Sequence, residues 1–237
     1  MNNIFTKFFN FKKKLNQKEI LFQNIKSTSD VKSIFSAISN HNEWSDVRYV
    51  GGCVRQILNN ENYDDIDLAT NLNPDQVKEC LTLNKIEFFE TGIKHGTITA
   101  RKGNQNFEIT SLRRDVKTDG RHAEVTFTKD WKEDSIRRDF TINSIYADID
   151  GNIFDPNNGV EDLQKGLVKF IGNSYERIQE DYLRILRYIR FFLLYSKKDH
   201  SSEIKKTIKQ NINGVANLSK ERLLAVSYTH LTLPTNR

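Results

Sequence analysis

The chain has little cysteine and lacks a long hydrophobic run. Among its 237 residues only Cys53 and Cys80 are cysteines, and neither belongs to a Cys-x-x-Cys pair, which argues against a disulfide framework or a cysteine zinc site. The five histidines are scattered. No apolar run approaches the ~20 residues that a membrane-spanning helix needs. We therefore expect a protein of a reducing, cytoplasmic compartment that does not engage a membrane.

What the chain has instead is charge. Its formal net charge is +5, its pI is near 9.0, and 28% of its residues are charged against 37% hydrophobic. This composition is typical of a globular protein of one or two domains. The basic excess favours a polyanionic partner such as RNA, and no feature of the sequence indicates a protein partner.

Composition and hydrophobic periodicity divide the chain into four segments. Residues 1–45 form a basic, Lys- and Phe-rich leader and an N-terminal helix that opens near Ser29. Residues 46–163 mix short strands with helices, and residues 164–226 are mostly helical, which predicts an α/β head with a mixed β-sheet flanked by helices, then an all-α neck. Residues 227–237 are Thr-rich and lack acidic residues. We expect them to be non-native and the neck to be truncated there.

Local signals within the head predict its elements. Residues 73–76 combine an N-cap, a proline and a capping-box glutamine, which predicts a helix start. Residues 113–123 are charged and contain Asp119-Gly120, which predicts a flexible loop. Residues 153–159 predict a turn. Short strands are predicted at 86–89, 97–100, 107–112 and 124–127.

The most informative stretch contains Asp65 and Asp67. In a strand these carboxylates point to one face, while Ile66 and Leu68 point to the other. Two like charges on one face are costly unless they are neutralised, and Mg²⁺ together with a nucleotide phosphate would neutralise them. The alternative is a solvated acidic strand end.

A third carboxylate is expected on a neighbouring strand. Glu108 is the best candidate, because the apolar Phe107 and Ile109 on either side of it would face the core. Two Mg²⁺ ions held by Asp65, Asp67 and Glu108 could activate a 3′-hydroxyl and stabilise the leaving pyrophosphate.

A glycine pair precedes these carboxylates. The turn at Gly51 and Gly52 would let backbone N–H groups approach a phosphate closely, and Arg55 would add a charge-assisted contact. An ordinary strand-to-helix turn is the alternative.

Two further motifs carry adjacent charges. Arg137-Arg138-Asp139, followed by Asn143, could bind a ribose and a triphosphate, although on a helix the two arginines would diverge. The alternative is a salt-bridged helix face.

The second motif begins at Glu180. Leu183, Leu186 and Phe191 predict a buried stripe, which leaves Asp181 and Arg184 as neighbours. A carboxylate that accepts from an amino group, beside a guanidinium that donates to a ring nitrogen, would select CTP and ATP. The alternative is a surface ion pair of ~0–1 kcal/mol.

Together these motifs resemble class II tRNA nucleotidyltransferases (CCA-adding enzymes) and bacterial poly(A) polymerases, both of the polymerase-β-like nucleotidyltransferase superfamily. The matching strings are GGCVRQ, DDIDLAT, GIKHGT, FEITSLRRD, RRDFTINSIY, DPNNGVEDL and EDYLRILRYIRF, with a partial match at LSKERLL. They occur in the family's order.

The resemblance implies a role for each motif. It implies metal binding by Asp65 and Asp67, with Glu108 as a further catalytic carboxylate. It implies nucleotide binding by a set that covers the phosphate, ribose and base: Gly51, Gly52, Arg55, Arg138, Asp139, Asn143, Asp181, Arg184 and Arg187. Glu180 would orient the base-selecting pair, and Asp155 to Gly159 would form a hinge.

The implied activity is template-independent addition of CCA to tRNA 3′ ends from CTP and ATP with Mg²⁺. The alternatives are a poly(A) polymerase, a partial CC- or A-adding enzyme, and an inactive RNA- or nucleotide-binding fragment. The family usually has Asp where this chain has Gln56, which affects the local orientation of Arg55. The family also continues into helical domains that grip tRNA, so nucleotide binding could survive a truncation that abolishes tRNA binding.

Overall fold

The structure is a computed structural model that describes residues 22–63, 65–118 and 123–228. Most of the basic leader, Asp64, the tip of the expected loop at 119–122 and residues 229–237 of the expected non-native tail lie outside these ranges. No helix within the described ranges is both long enough and apolar enough to cross a membrane.

Helices are interspersed with strands up to about residue 154, after which the described chain is helical. The helices are α1 (Ser29–Ser39), α2 (Gly52–Leu58), α3 (Pro74–Leu83), α4 (Trp131–Arg137), α5 (Gly159–Lys165), α6 (Ser174–Glu180), α7 (Leu183–Tyr195), α8 (Ser202–Asn211) and α9 (Lys220–Tyr228). The strands are β1 (Val47–Val50), β2 (Ile66–Thr70), β3 (Glu87–Gly92), β4 (Thr97–Lys102), β5 (Gln105–Ser111), β6 (Arg113–Thr118), β7 (Ala123–Phe127), β8 (Tyr146–Ala147) and β9 (Ile153–Phe154). This order confirms the predicted α/β head and helical continuation.

Seven strands form one mixed sheet in the order β3-β4-β5-β2-β1-β8-β9. Strands β2 and β5 run parallel, and the other neighbours run antiparallel. Ile66, Leu68, Phe107 and Ile109 are buried on one face of the β2–β5 pair. Because side chains alternate along a strand, the opposite face carries the acidic residues, as predicted.

Helices cover the buried face of the sheet. The apolar positions of α1 are buried, including Ile34, Phe35 and Ile38. Helix α3 begins with the predicted capping box, in which the Asn73 side chain accepts from the Gln76 N–H and the Gln76 side chain accepts from the Asn73 N–H. These contacts satisfy N–H groups that the first turn of a helix leaves without a partner.

The flexible loop predicted at residues 113–123 is wrong in part. Strands β6 and β7 form an antiparallel ribbon that occupies most of this stretch, with an irregularity between Asp115 and Lys117. A two-stranded ribbon is held by main-chain hydrogen bonds and does not need an apolar face. The charged sequence of this segment therefore did not predict strands. The Arg113 N–H also donates to the buried Asp134 carboxylate, which ties the start of the ribbon to α4.

Two smaller predictions also need correction. The segment at 153–159 contains β9, which pairs with β8, before its turn. The buried residues of α7 are Ile185, Tyr188 and Phe191, whereas Leu183 and Leu186 are half-buried. The aromatic rings determine this face, because Tyr188 and Phe191 both pack against Phe140.

Candidate active site

Three carboxylates lie at the β2–β5 pair. Asp65 immediately precedes β2, and Asp67 is directly opposite Glu108 across the parallel strands. Burial, together with the charges of Glu108 and Asp65, raises the pKa of Asp67 to about 6, although Arg138 and Arg55 act to lower it. Within the described ranges no group of three His, Cys, Asp or Glu side chains is close enough to hold a metal ion alone.

The glycine turn lies against one of these carboxylates. Gly51 has φ 70° and ψ −120°, a conformation that side chains rarely allow, and it is the N-cap residue between β1 and α2. A Cβ placed on either Gly51 or Gly52 would lie 3.8 Å from Asp67 Oδ2, and on Gly51 it would lie 4.0 Å from Arg138 Nη1. The Gln56 side chain oxygen is also near Gly52, at 4.0 Å from its Cβ position. The turn therefore brings backbone, a carboxylate and a guanidinium together.

Arg138 is anchored by a buried acid. Its Nε and Nη2 donate to Asp134 Oδ2 at 3.1 and 3.0 Å, and its Nε also donates to the Tyr146 hydroxyl at 3.0 Å. Arg137 donates to the other Asp134 oxygen at 2.7 Å. The expected divergence of the two arginines is wrong, because α4 ends at Arg137 and Arg138 has extended backbone from which its long side chain returns to the same acid.

A chain of hydrogen bonds runs through the segment after α4. Asp139 Oδ1 accepts from the Phe140 N–H at 2.9 Å and from Asn143 Nδ2 at 3.0 Å, and its Oδ2 accepts from Arg187 Nε at 2.6 Å. Asn143 Oδ1 accepts from Arg55 Nη1. Although burial opposes it, Arg187 and these hydrogen bonds hold the pKa of Asp139 below its usual value. The segment is thereby joined to both α2 and α7.

Arg55 lies beneath the glycine turn and is buried. Its guanidinium carbon is 4.8 Å from the ring centre of Phe191 and 5.0 Å from that of Tyr195, and Tyr195 donates to Glu61. Its Nη2 is 4.0 Å from the Cβ position of Gly52. Arg55 thus reaches the turn with one nitrogen, while the contacts of its guanidinium with the rings of Phe191 and Tyr195 hold α7 against the head.

The base-selecting candidates are held by different partners. Asp181 Oδ1 accepts from the Leu183 N–H at 3.0 Å, and its Oδ2 accepts from Arg222 Nη2 at 2.8 Å. Arg184 donates to Glu180, which also accepts from Arg177. Glu180 therefore orients Arg184 directly, whereas Asp181 is oriented by Arg222 and by the start of α7.

Similarity to known proteins identifies the family. A family model described as the Poly A polymerase head domain matches residues 47–169. The chain belongs to this family. It is 48% identical over 199 residues to "CCA tRNA nucleotidyltransferase 1, mitochondrial" of Homo sapiens, covering 83% of this chain and 45% of the relative. It is 42% identical over 145 residues to the "CCA-adding enzyme" of Oceanobacillus iheyensis, covering 60% of this chain and 35% of the relative.

Similarity to a solved structure supports the same family. The crystal structure of the Bacillus stearothermophilus CCA-adding enzyme in complex with CTP matches with a TM-score of 0.72 and 30% identity, over 83% of this chain and 46% of that chain. The family resemblance and the fold class predicted from the sequence are confirmed. The chain spans less than half the length of these two curated relatives.

The expected hinge of this Poly A polymerase head domain is a capped helix start. Both oxygens of Asp155 accept main-chain N–H groups at 2.8 Å, one from Gly159 and one from Val160. Gly159 is the first residue of α5, and a Cβ there would overlap the Thr141 carbonyl oxygen at 2.1 Å. The hinge role itself stays a prediction.

Two residues of this site were not predicted from the sequence. Asp134, three and four positions before Arg137 and Arg138, has the spacing of a helical ion pair and could have been found from it. Arg177 donates to the main-chain carbonyls of Arg137 and Arg138, some forty residues earlier in the chain. Side-chain patterns carry no signal of contacts to a distant backbone.

Proposed function

We propose that this chain carries the nucleotidyl-transfer site of an enzyme that adds CCA to tRNA 3′ ends from CTP and ATP without a nucleic-acid template. The observation that carries the proposal is the position of the Asp67 carboxylate, against the Gly51–Gly52 turn, opposite Glu108 and close to Arg138. The names of the human and Oceanobacillus relatives, and the CTP bound in the Bacillus structure, support it.

Each assigned residue then has a task. The turn at Gly51 and Gly52 presents backbone N–H groups to the triphosphate, and the nearby nitrogens of Arg55 and Arg138 add positive charge. Asp139 and Asn143, with Arg138, define the ribose position. Asp181 and Arg184 read the base edge while Glu180 orients the arginine, and Arg187 fixes α7 to Asp139.

We propose that Asp65 and Asp67 hold Mg²⁺ and that Glu108 acts beside them. The residues fit the ion, because Mg²⁺ is usually held by one or two carboxylates plus substrate phosphates and does not need an all-protein cage. Burial and the nearby charges of Glu108 and Asp65 raise the pKa of Asp67, and a bound cation would favour the ionised carboxylate. When bound, the metal would supply positive charge for the transferring phosphoryl group and its leaving pyrophosphate.

The organisation of the whole protein belongs to the same proposal. We divide the chain into a leader with an N-terminal helix (1–45), a catalytic head (46–163), a nucleotide-selecting neck (164–226) and a non-native tail (227–237), with a hinge at Asp155 to Gly159. We propose a cytoplasmic location. The human relative's name includes "mitochondrial", so a tagged full-length protein observed in mitochondria would correct this part.

The test is nucleotide addition to end-labelled tRNAs that stop before CCA, after C and after CC, with Mg²⁺ and with CTP, ATP or both. We expect products that end after CCA is complete. A long ladder of A would favour a poly(A) polymerase, and addition of only CC or only the final A would favour a partial-addition enzyme. No product from this chain, followed by none from a full-length version, would favour an inactive binding fragment.

A matched pair of variants tests the carboxylates. Asp65→Ala combined with Asp67→Ala should abolish addition. Asp75→Ala removes an acid of α3 whose side chain is 88% exposed, and it should leave addition unchanged. Addition that survives the double substitution would reject the metal assignment.

A further inference from the structure

Arg177 lies between the segments assigned to ribose recognition and to base recognition. It belongs to α6, and its side chain is only 12% exposed. Its Nη2 donates to the main-chain carbonyls of both Arg137 and Arg138, the latter at 2.7 Å. Its Nη1 donates to Glu180 Oε2 at 2.5 Å. One planar guanidinium therefore joins a stretch of backbone to a carboxylate.

The carboxylate leads to the base-selecting arginine. Glu180 Oε2 also accepts from Arg184 Nη1, and the same nitrogen of Arg184 donates to the main-chain carbonyl of Arg177 at 2.7 Å. Arg184 is therefore held from two sides, by the acid that Arg177 binds and by the backbone of Arg177 itself. A displacement of Arg177 would displace Arg184.

The backbone contacts lead to the ribose-binding segment. The carbonyl of Arg137 belongs to the peptide that enters Arg138, and the carbonyl of Arg138 belongs to the peptide that enters Asp139. Arg138 has left the helix, with φ −67° and ψ 161°. Holding both carbonyls fixes both peptide planes, and these set the directions in which the Arg138 and Asp139 side chains leave the main chain.

We propose that Arg177 is a positioning residue that couples ribose selection to base selection, so that both depend on one side chain. This inference rests on the proposed function. The contacts require arginine. Its planar guanidinium reaches both carbonyls and Glu180 with separate nitrogens, whereas lysine has a single side-chain nitrogen and cannot bind all three groups in this geometry. Arg177 Nε is also buried without a hydrogen-bond partner among the described residues, and an unpaired buried donor lowers the stability of the fold. A role in stability alone does not explain why this arginine is buried here.

The test measures equilibrium binding of CTP, UTP and 2′-deoxy-CTP to the whole chain with Mg²⁺. The ratio of Kd for UTP to Kd for CTP reports base selection, and the ratio for 2′-deoxy-CTP to CTP reports ribose selection. We expect Arg177→Ala and Arg177→Lys to lower both ratios by about tenfold, the size expected for losing a hydrogen bond to a charged group. Arg184→Ala and Glu180→Gln should lower only the base ratio, because the contacts to the carbonyls remain.

Arg48→Ala is the matched control. Arg48 of β1 is also paired with an acid, Asp46 at 2.7 Å, and its side chain is 22% exposed. It has no assigned part in nucleotide binding, so both ratios should stay as in the wild type. Circular dichroism and a thermal melt establish that each variant is folded before the ratios are compared.

The outcomes separate the two proposals. A wild-type chain that prefers neither CTP to UTP nor ribose to deoxyribose overturns the proposed function, and this inference with it. A selective wild type whose folded Arg177 variants keep both ratios, or lose only one, overturns the inference alone. If Arg177→Ala, Arg177→Lys and Arg177→Gln all fail to fold, Arg177 is a structural residue and the inference is overturned.

Discussion

Arg187 Nε donates to Asp139 Oδ2 over 2.6 Å, and this contact joins α7 to the segment that follows α4. The same carboxylate accepts from Asn143, which accepts in turn from Arg55. Helix α7, which carries the proposed base-reading Arg184, is thus joined through three hydrogen bonds to the helix that begins at the glycine turn. The relative position of the two halves of the site depends on this chain of hydrogen bonds.

Arg187→Ala should therefore destabilise the fold. It leaves the Asp139 carboxylate buried without its cation, and breaking a fully buried pair costs roughly 3–5 kcal/mol. The Arg187 side chain is 36% exposed, so water can replace part of the contact, and we expect a loss of about 1–3 kcal/mol in the free energy of unfolding. Urea unfolding measures it.

The control for Arg187→Ala is Lys165→Ala, which removes the cation of the exposed Glu161–Lys165 pair of α5. We expect no measurable change there, because surface pairs are worth little. An Arg187→Ala protein as stable as the control would mean that Asp139 is adequately solvated without Arg187.

Asp134→Ala should cost more, about 3–5 kcal/mol, because it removes the fully buried partner of two arginines. Although burial opposes it, the Arg138 and Arg137 guanidiniums hold the pKa of Asp134 well below its usual range. The ionised carboxylate therefore stabilises the fold above the ordinary carboxyl pKa, and this contribution is lost as the pH falls towards the depressed value. Urea unfolding at pH 7 and at pH 3 should show a larger difference between wild type and variant at pH 7. An equal difference at both pH values would contradict this account.

Short-range patterns predicted the parts of the fold and of the site that lie within one element. The alternation of Ile66 and Leu68 with acids placed Asp67 on the polar face, and the Asn73 capping box was readable from four residues. Both depend on neighbours in sequence, which a pattern records directly.

The features that the sequence did not predict depend on contacts across the fold. The ribbon of β6 and β7 is held by main-chain pairing, which its charged side chains do not reveal. The buried face of α7 follows from where the ring of Phe140 lies, and no spacing rule for α7 contains that information. Arg177 binds carbonyls, which every residue has, so its partners have no signature in the sequence.

Asp67→Asn should stabilise the metal-free protein at neutral pH while it abolishes nucleotide addition. The pKa of Asp67 is about 6 in the fold, against about 3.9 for an ordinary aspartate. The folded state therefore binds more protons than the unfolded state between about pH 4 and pH 6, and ionisation of Asp67 costs stability as the pH rises through this window. We expect the free energy of unfolding of the Asp67→Asn variant to exceed that of the wild type by about 1–3 kcal/mol at pH 7.5 and by little at pH 4.

Urea unfolding in EDTA at both pH values measures the effect of Asp67→Asn. Asp75→Asn, at the exposed acid of α3, is the matched control and should follow the wild type throughout. If Asp67→Asn raises the free energy of unfolding by the same amount at pH 4 and at pH 7.5, ionisation of the Asp67 carboxyl group does not destabilise the fold.

Gly159→Ala should destabilise the protein, although alanine in a helix is ordinarily favoured over glycine by about 0.5–1 kcal/mol. A Cβ at Gly159 would lie 2.1 Å from the Thr141 carbonyl oxygen and 2.9 Å from Ile145 Cγ1, and neither the backbone nor a packed core side chain can give way cheaply. Inserting atoms into a packed site typically costs about 1–3 kcal/mol, and here we expect the upper end.

Gly172→Ala is the matched control, because its Cβ would meet nothing within 4 Å and only its φ of +80° is unfavourable, at about 1–2 kcal/mol. Thermal and urea unfolding should rank Gly159→Ala as the less stable of the two. The reverse order would mean that α5 can move away from Thr141 at little cost, which is the behaviour expected if Asp155 and Gly159 act as a hinge.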